Sequence, residues 1–170
     1  MFERLFEFIE QFVDILTPFI VIDEYEEGVV LTFGKFRERI LEPGFHWKWP
    51  LIDKVLFDNV VSSTRNLTNQ TLTTKDGKSI VLGAMIRWRI RDIVKATIRT
   101  EDVDGVLDDV TYGVLAKAVR CTNWESINDG TFVDEVFREA RARAFRFGIE
   151  IEELQLTDLA ITRVFRLVGE

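Results

Sequence analysis

The chain holds 170 residues, 46% hydrophobic and 30% charged, a balance that supports one or two small cores and excludes intrinsic disorder. Its single cysteine, Cys121, excludes an internal disulfide framework and favours an intracellular setting; the sequons at Asn66 and Asn69 are then chance matches. The net charge of −7 is concentrated in residues 1 to 27, where eight acids face one base, while the other 143 residues hold 21 charges of each sign.

The first predicted element is an amphipathic helix over residues 2 to 16. At about 100° per residue, Phe2, Leu5, Phe6, Phe8, Ile9, Phe12, Val13, Ile15 and Leu16 fill one half of the wheel, and Glu3, Arg4, Glu7, Glu10, Gln11 and Asp14 the other. Pro18 ends it, because Thr17 is biased away from helical dihedrals. A bilayer span needs about 20 apolar residues, so this helix is expected to lie in a membrane interface, pack on the domain or join neighbouring copies. Phe2, Leu5, Phe6, Ile9, Phe12, Val13 and Leu16 are the expected contact residues. The acidic polar face predicts no preference for anionic lipid. The segment lacks the basic region, apolar centre and cleavage site of a signal peptide, and neither a second glycine nor an N-terminal cysteine is there to be acylated.

Strands are predicted at Phe19 to Tyr25, Val29 to Phe33, Lys54 to Val61 and Ser79 to Arg91. A charged bend at Lys35 to Arg39 and a Pro43-Gly44 turn separate the early strands, and Asp76-Gly77 reverses the chain before the last. On that long strand Ile80, Leu82, Ala84, Ile86, Trp88 and Ile90 share one face. The other runs from Val81, Gly83 and Met85 to Arg87, Arg89 and Arg91, and its arginine end should meet solvent or an acidic partner.

A helix is predicted from about Asp102 to Cys121, with a stripe of Val103, Val106, Leu107, Val110, Val114, Ala118 and Cys121; Cys121 is expected to be a small buried hydrophobe. A second helix, about Phe132 to Phe147, carries a capping-box pattern at Thr131 and Asp134, stops at Gly148 and spaces Asp134 with Arg138 and Glu139 with Arg143 for ion pairs. A strand from Glu150 to Val164 closes the domain. The expected organisation is a helix at 1–18, a strand-rich lobe at 19–95, a helix-rich lobe at 96–165 and a short end at 166–170.

Catalytic chemistry is nearly absent. One histidine, His46, and one cysteine rule out His-rich and thiolate metal centres, no phosphate-binding loop occurs, and no acid, base and nucleophile group together. The acids Glu101, Asp102, Asp104, Asp108 and Asp109 lack the calcium-loop pattern and suit a helix N-terminus. Arg138, Arg141, Arg143 and Arg146 are interleaved with acids, so nucleic acid is not an expected partner. No cofactor is expected.

The ordered set Gly28-Val29-Val30-Leu31-Thr32-Phe33-Gly34-Lys35 and Leu41-Glu42-Pro43-Gly44-Phe45-His46-Trp47-Lys48-Trp49-Pro50 resembles the opening of the SPFH domain, or band 7, shared by stomatins, prohibitins and flotillins. The likeness continues in Leu72 to Gly77, Ile86 to Ile90, Gly148 to Glu150 and Leu156 to Leu159. It implies an α+β SPFH-like domain and a membrane-associated oligomeric scaffold rather than an enzyme. The partners it implies are the bilayer surface on the intracellular side, further copies of the chain, and a membrane protein such as a protease or channel. Arg87, Arg89, Arg138 and Arg141 are the expected oligomer contacts. Longer members continue into coiled coil, whereas no heptads precede Glu170, so assembly is expected to use domain edges and the N-terminal helix. The alternative is a soluble binding or structural subunit, viral for instance, whose Phe-rich helix makes a protein interface.

Overall fold

The structure, a computed structural model, describes residues 17 to 127 and 129 to 162. The expected helix over residues 2 to 16 lies outside them. The chain divides into two compact units, Met1–Val61 and Ser62–Glu170.

In the first unit, β1 (Phe19–Ile22) pairs with β4 (Gly44–Trp47), and β2 (Glu26–Thr32) is the centre of a sheet ordered β3 (Lys35–Leu41), β2, β5 (Asp53–Asn59), all antiparallel. Its core is small: Ile22, Val30 and Leu41 are buried, with Ile20 and Val55 packed against them. The segment Lys35 to Arg39, expected to be a bend, is most of strand β3. An edge strand can carry charge on its solvent side, so charge density alone did not identify a bend. The reversal sits earlier, at Phe33-Gly34, where both residues have positive φ, 52° and 74°.

In the second unit, β6 (Ser63–Thr73), β7 (Ser79–Ile90) and β8 (Ile149–Ile161) form an antiparallel sheet with β7 in the middle. Four helices lie between β7 and β8 in sequence: α1 (Ile93–Arg99), α2 (Val103–Cys121), α3 (Trp124–Ile127) and α4 (Gly130–Ala144), the last followed by a 3₁₀ turn, Phe145–Phe147. Ile80, Leu82, Ala84 and Ile86 of β7 pack with Leu107, Val114, Leu115 and Val119 of α2 and Phe132, Val136, Ala140 and Ala144 of α4. The alternation read from β7 is therefore the core face. Asp76-Gly77 makes the expected reversal, with Gly77 at φ 79°, and Gly148, at φ 80°, ends the 3₁₀ turn. An added Cβ at Gly148 would lie 2.4 Å from the Asp92 carbonyl, so the position admits only glycine.

Three local expectations are corrected. Strand β6 was not foreseen, because its polar run Thr64 to Thr71 buries only Leu67. Cys121 is exposed at the end of α2, whose buried positions are Leu107, Thr111, Val114, Leu115 and Val119. Thr111 joins that face by donating its hydroxyl proton to the Leu107 carbonyl, 2.8 Å away, which turns the stripe toward Leu115 and Val119. Thr131 lies inside α4 rather than capping it; the N-cap is Asp129, without a side-chain bond. The compact units divide after Val61, earlier than the lobe boundary expected near residue 95, because β6 and β7 form one wall of the helix-covered core.

Candidate functional site

The β1–β4 ribbon carries apolar side chains on both faces. Register places Phe19 opposite Trp47 and Val21 opposite Phe45, and Ile20 opposite His46 and Ile22 opposite Gly44. Side chains alternate along a strand, so the second set faces the small core, where Ile22 is buried. The first set is open to solvent: Phe19, Val21, Phe45 and Trp47 are 47% to 66% exposed. Phe19 and Phe45 stack across the ribbon at 5.6 Å between centroids.

Two turns extend this surface. Phe33 is 74% exposed at the tip of the β2–β3 hairpin, and Leu51 is 80% exposed, at φ 68°, in the turn before β5; Trp49 beside it is also exposed. The Phe33 N–H donates to the Ile52 carbonyl at 2.9 Å, which ties the turns together. A hairpin turn with positive φ at both central positions favours Asn-Gly or Asp-Gly. Phe at the first, and Leu at 51, hold a conformation that costs a bulky L-residue about 1–2 kcal/mol, and both side chains point into solvent. Strain spent on exposed apolar tips marks a surface rather than a core.

Asp53 fixes the geometry beneath. Its carboxylate, 2% exposed, accepts from the Thr32 hydroxyl at 2.7 Å and the Trp49 N–H at 3.0 Å, with Arg39 3.8 Å away. The Trp49 N–H, the Thr32 hydroxyl and Arg39 together hold the carboxyl below its ordinary range. Arg39 also donates to the Trp47 carbonyl, and the His46 Nε2 meets the Glu42 carbonyl at 2.6 Å. His46 is thus a strand residue tied to its own turn.

The expected arginine contacts lie in the second unit and are partly brought together. Arg89 and Arg141 reach Glu150 at 2.9 and 2.6 Å and Arg91 reaches it at 3.3 Å, around a side chain 8% exposed. The Arg89 and Arg141 hydrogen bonds lead in holding the Glu150 carboxyl down at about 2. Arg89 also meets Glu152 at 3.3 Å and Arg87 meets Glu153 at 3.2 Å. The acidic partner foreseen for the arginine end of β7 is thus strand β8 of the same chain. Arg138 is exposed and outside this cluster. Glu139 pairs with Arg143 as spaced, and also with Lys117 of α2 at 3.0 Å. Of the acids at the start of α2, Asp102 caps the helix by accepting from the Gly105 N–H, and Asp104 and Asp108 bind Arg65 of β6 at 3.1 and 2.8 Å.

The apolar contact surface expected in residues 2 to 16 lies outside the described residues, and the open face of the ribbon was not foreseen. The signal was Phe45, Trp47 and Trp49 at spacing two, mirrored by Phe19 and Val21. No group of metal-ligating side chains occurs among the described residues. No described helix is long and apolar enough to cross a membrane.

Residues 20–166 match the model of the SPFH domain / Band 7 family. The protein HflK of Vibrio cholerae is 32% identical over 111 residues, 65% of this chain and 28% of the relative. The protein HflC of Vibrio parahaemolyticus is 26% identical over 168 residues, 89% of this chain and 51% of the relative. A relative from Escherichia coli named as a modulator of FtsH protease, HflC, is 30% identical over 86 residues, 47% of this chain and 26% of the relative. The chain thus spans about a quarter to half of the length of these relatives.

Proposed function

This chain belongs to the SPFH domain / Band 7 family, and on that premise we propose that it is a membrane-apposed scaffold that assembles with further copies and recruits or restrains a partner protein, without catalysis of its own. The observation that carries the reading is the exposed apolar face of the ribbon, Phe19, Val21, Phe45 and Trp47, continued by Trp49, Leu51 and Phe33. A soluble surface rarely exposes so many large apolar groups together. Removing one Phe or Trp side chain from water stabilises by about 1.5–3 kcal/mol when complete, and tryptophan is favoured at the headgroup boundary.

Contact of one copy is shallow and reversible, and assembly multiplies it, since many weak contacts on one particle bind collectively far better than one. The Phe-rich face of residues 2 to 16 is a second lipid contact in this reading. For self-association, Arg87, Arg89 and Arg141 keep further donors beyond those given to Glu150 and Glu153 and, with Arg138, offer them to a neighbouring copy. The partner class follows the relative named as a protease modulator: a membrane-bound protease.

Liposome flotation tests the reading. Phe45→Glu with Trp47→Glu places two charges where acyl chains would lie, and should cut co-flotation at least about tenfold while leaving the circular dichroism spectrum unchanged. Full flotation of the folded double variant would remove the ribbon as the contact surface.

A further inference from the structure

The exposed apolar surface of the first unit has a mainly basic surround, with exposed Glu38 and Glu42 within it, and a cluster of acids lies where β2 begins. Between Phe33 and Lys54 the chain carries Lys35, Arg37, Arg39, Lys48 and Lys54 against Glu38, Glu42 and Asp53. Register fixes where they sit. Lys35 directly follows the Phe33-Gly34 turn and pairs with Thr32, and Lys54 pairs with Leu31. Lys48 stands between Trp47 and Trp49, anchored by its N–H to the Pro18 carbonyl at 2.8 Å. Strand β3 bulges opposite β2 between Val29 and Leu31, with Glu38 at φ 54°. A bulge re-aims side chains, and here Arg39 reaches the Trp47 carbonyl. Of the three acids, Asp53 is 2% exposed and already satisfied by Thr32, Trp49 and Arg39.

The remaining acids among the unit's described residues cluster where β2 begins. Glu26 and Glu27 pair with Asn59 and Asp58, and Asp23 and Glu24 lie in the turn before them. Thr32 is six residues along β2 from Glu26, about 20 Å at strand rise. That distance exceeds the Debye length of about 8–10 Å at physiological salt, so those acids hardly weaken the potential at the Phe33 tip, whereas Val21, two residues from Asp23, lies at the less basic end of the ribbon.

We propose that this basic surround binds anionic phospholipid headgroups while the ribbon and its two turns enter the acyl boundary, making the first unit selective for anionic bilayers. The inference rests on the membrane reading above and deepens it by naming the lipid class. It reverses what the acidic residues 1 to 27 predict when taken alone. Lys35, Arg37 and Lys48 adjoin the apolar tips in sequence, where long basic side chains extend to phosphate, whereas in the helix expected of residues 2 to 16 the acids fall opposite the phenylalanines. Each base near an anionic surface contributes about fivefold in binding at low ionic strength.

The test uses the full chain, sedimented with vesicles of phosphatidylcholine alone or mixed with phosphatidylglycerol. The proposal expects binding at least about tenfold tighter to the mixed vesicles at low salt, with the preference shrinking as salt rises. In the triple variant Lys35→Gln, Arg37→Gln, Lys48→Gln the ratio should fall toward one, with the circular dichroism spectrum confirming the fold. Equal binding of the wild-type chain to both vesicles, or tighter binding to phosphatidylcholine, would overturn the lipid selectivity and leave the membrane reading standing. Binding to neither would overturn the membrane reading itself. A preference that survives in the folded triple variant would place the anion contact elsewhere and also overturn the proposal.

Discussion

The two units use the same apolar vocabulary to opposite ends. In the second unit, β7 turns Ile80, Leu82, Ala84 and Ile86 inward under α2 and α4, and its other face ends in arginines paired to β8. In the first, β1 and β4 bury one apolar face and leave the other, Phe19, Val21, Phe45 and Trp47, in solvent. Side-chain period is identical in both. The difference lies in what covers the sheet: two helices in one case, and no described residue in the other. Hydrophobicity thus becomes stability where an element of the same chain supplies the cover, and is left as a candidate contact surface where no described residue does.

The sharpest way to break this comparison is to truncate an apolar side chain in each unit. Ile86→Ala removes a fully buried side chain between sheet and helices and should cost about 2–5 kcal/mol in urea unfolding. Phe45→Ser on the open ribbon face should fall within about 0.5 kcal/mol of wild type. A large loss from the second would show that the ribbon face is core after all.

Next in size is Glu150, the carboxylate on which Arg89, Arg91 and Arg141 converge. Glu150→Gln leaves three guanidinium groups around a neutral amide, and Tm should fall by several degrees. The wild type carries a related acid sensitivity. The Glu150 carboxyl titrates at about 2 when folded against an ordinary 4.5, so its contribution is complete above the ordinary value and is lost as pH falls toward 2. Asp76 acts in the same sense, held at about 2 chiefly by the Thr74 hydroxyl, and it also accepts from the Trp124 N–H at 3.2 Å. Unfolding followed by circular dichroism from pH 6 to pH 2 should show this loss, with a shallower slope in Glu150→Gln; parallel slopes would remove Glu150 from the account.

The smallest expected effect is the most diagnostic of purpose. Phe33→Asn places a residue suited to positive φ in the β2–β3 turn and should stabilise the chain by about 0.5–1 kcal/mol while weakening vesicle binding. Gain in one and loss in the other would show that the strained phenylalanine serves the surface rather than the fold. A destabilised variant would show that Phe33 packs against the protein.

Much of the second unit was legible because burial imposes a period. The alternation of β7, the existence of α2 and α4 and the stop at Gly148 follow from it. What escaped was set by neighbours rather than by pattern. Strand β6 is held by backbone pairing with β7, and its Arg65 by Asp104 and Asp108, carboxylates about forty residues away in sequence that are legible only as a helix N-terminus. The Cys121 stripe failed because Thr111 satisfies its hydroxyl on the Leu107 carbonyl and so can be buried. At the candidate site, the family likeness depended on Phe45 to Pro50, yet the meaning of those residues appears only when the β1–β4 register sets Phe19 and Val21 beside them. A single strand of four residues carries too few alternations to show which face lies open.

Tryptophan fluorescence reads the contact surface most directly. The chain has four tryptophans, at 47, 49, 88 and 124, of which Trp47 and Trp49 belong to the exposed surface, while Trp88 and Trp124 pack against the second core. In the variant Trp88→Phe, Trp124→Phe, emission should shift to the blue on vesicle binding and be quenched by lipids brominated on their acyl chains. Unshifted, unquenched emission from vesicle-bound protein would contradict the claim that the open face of the ribbon meets the membrane.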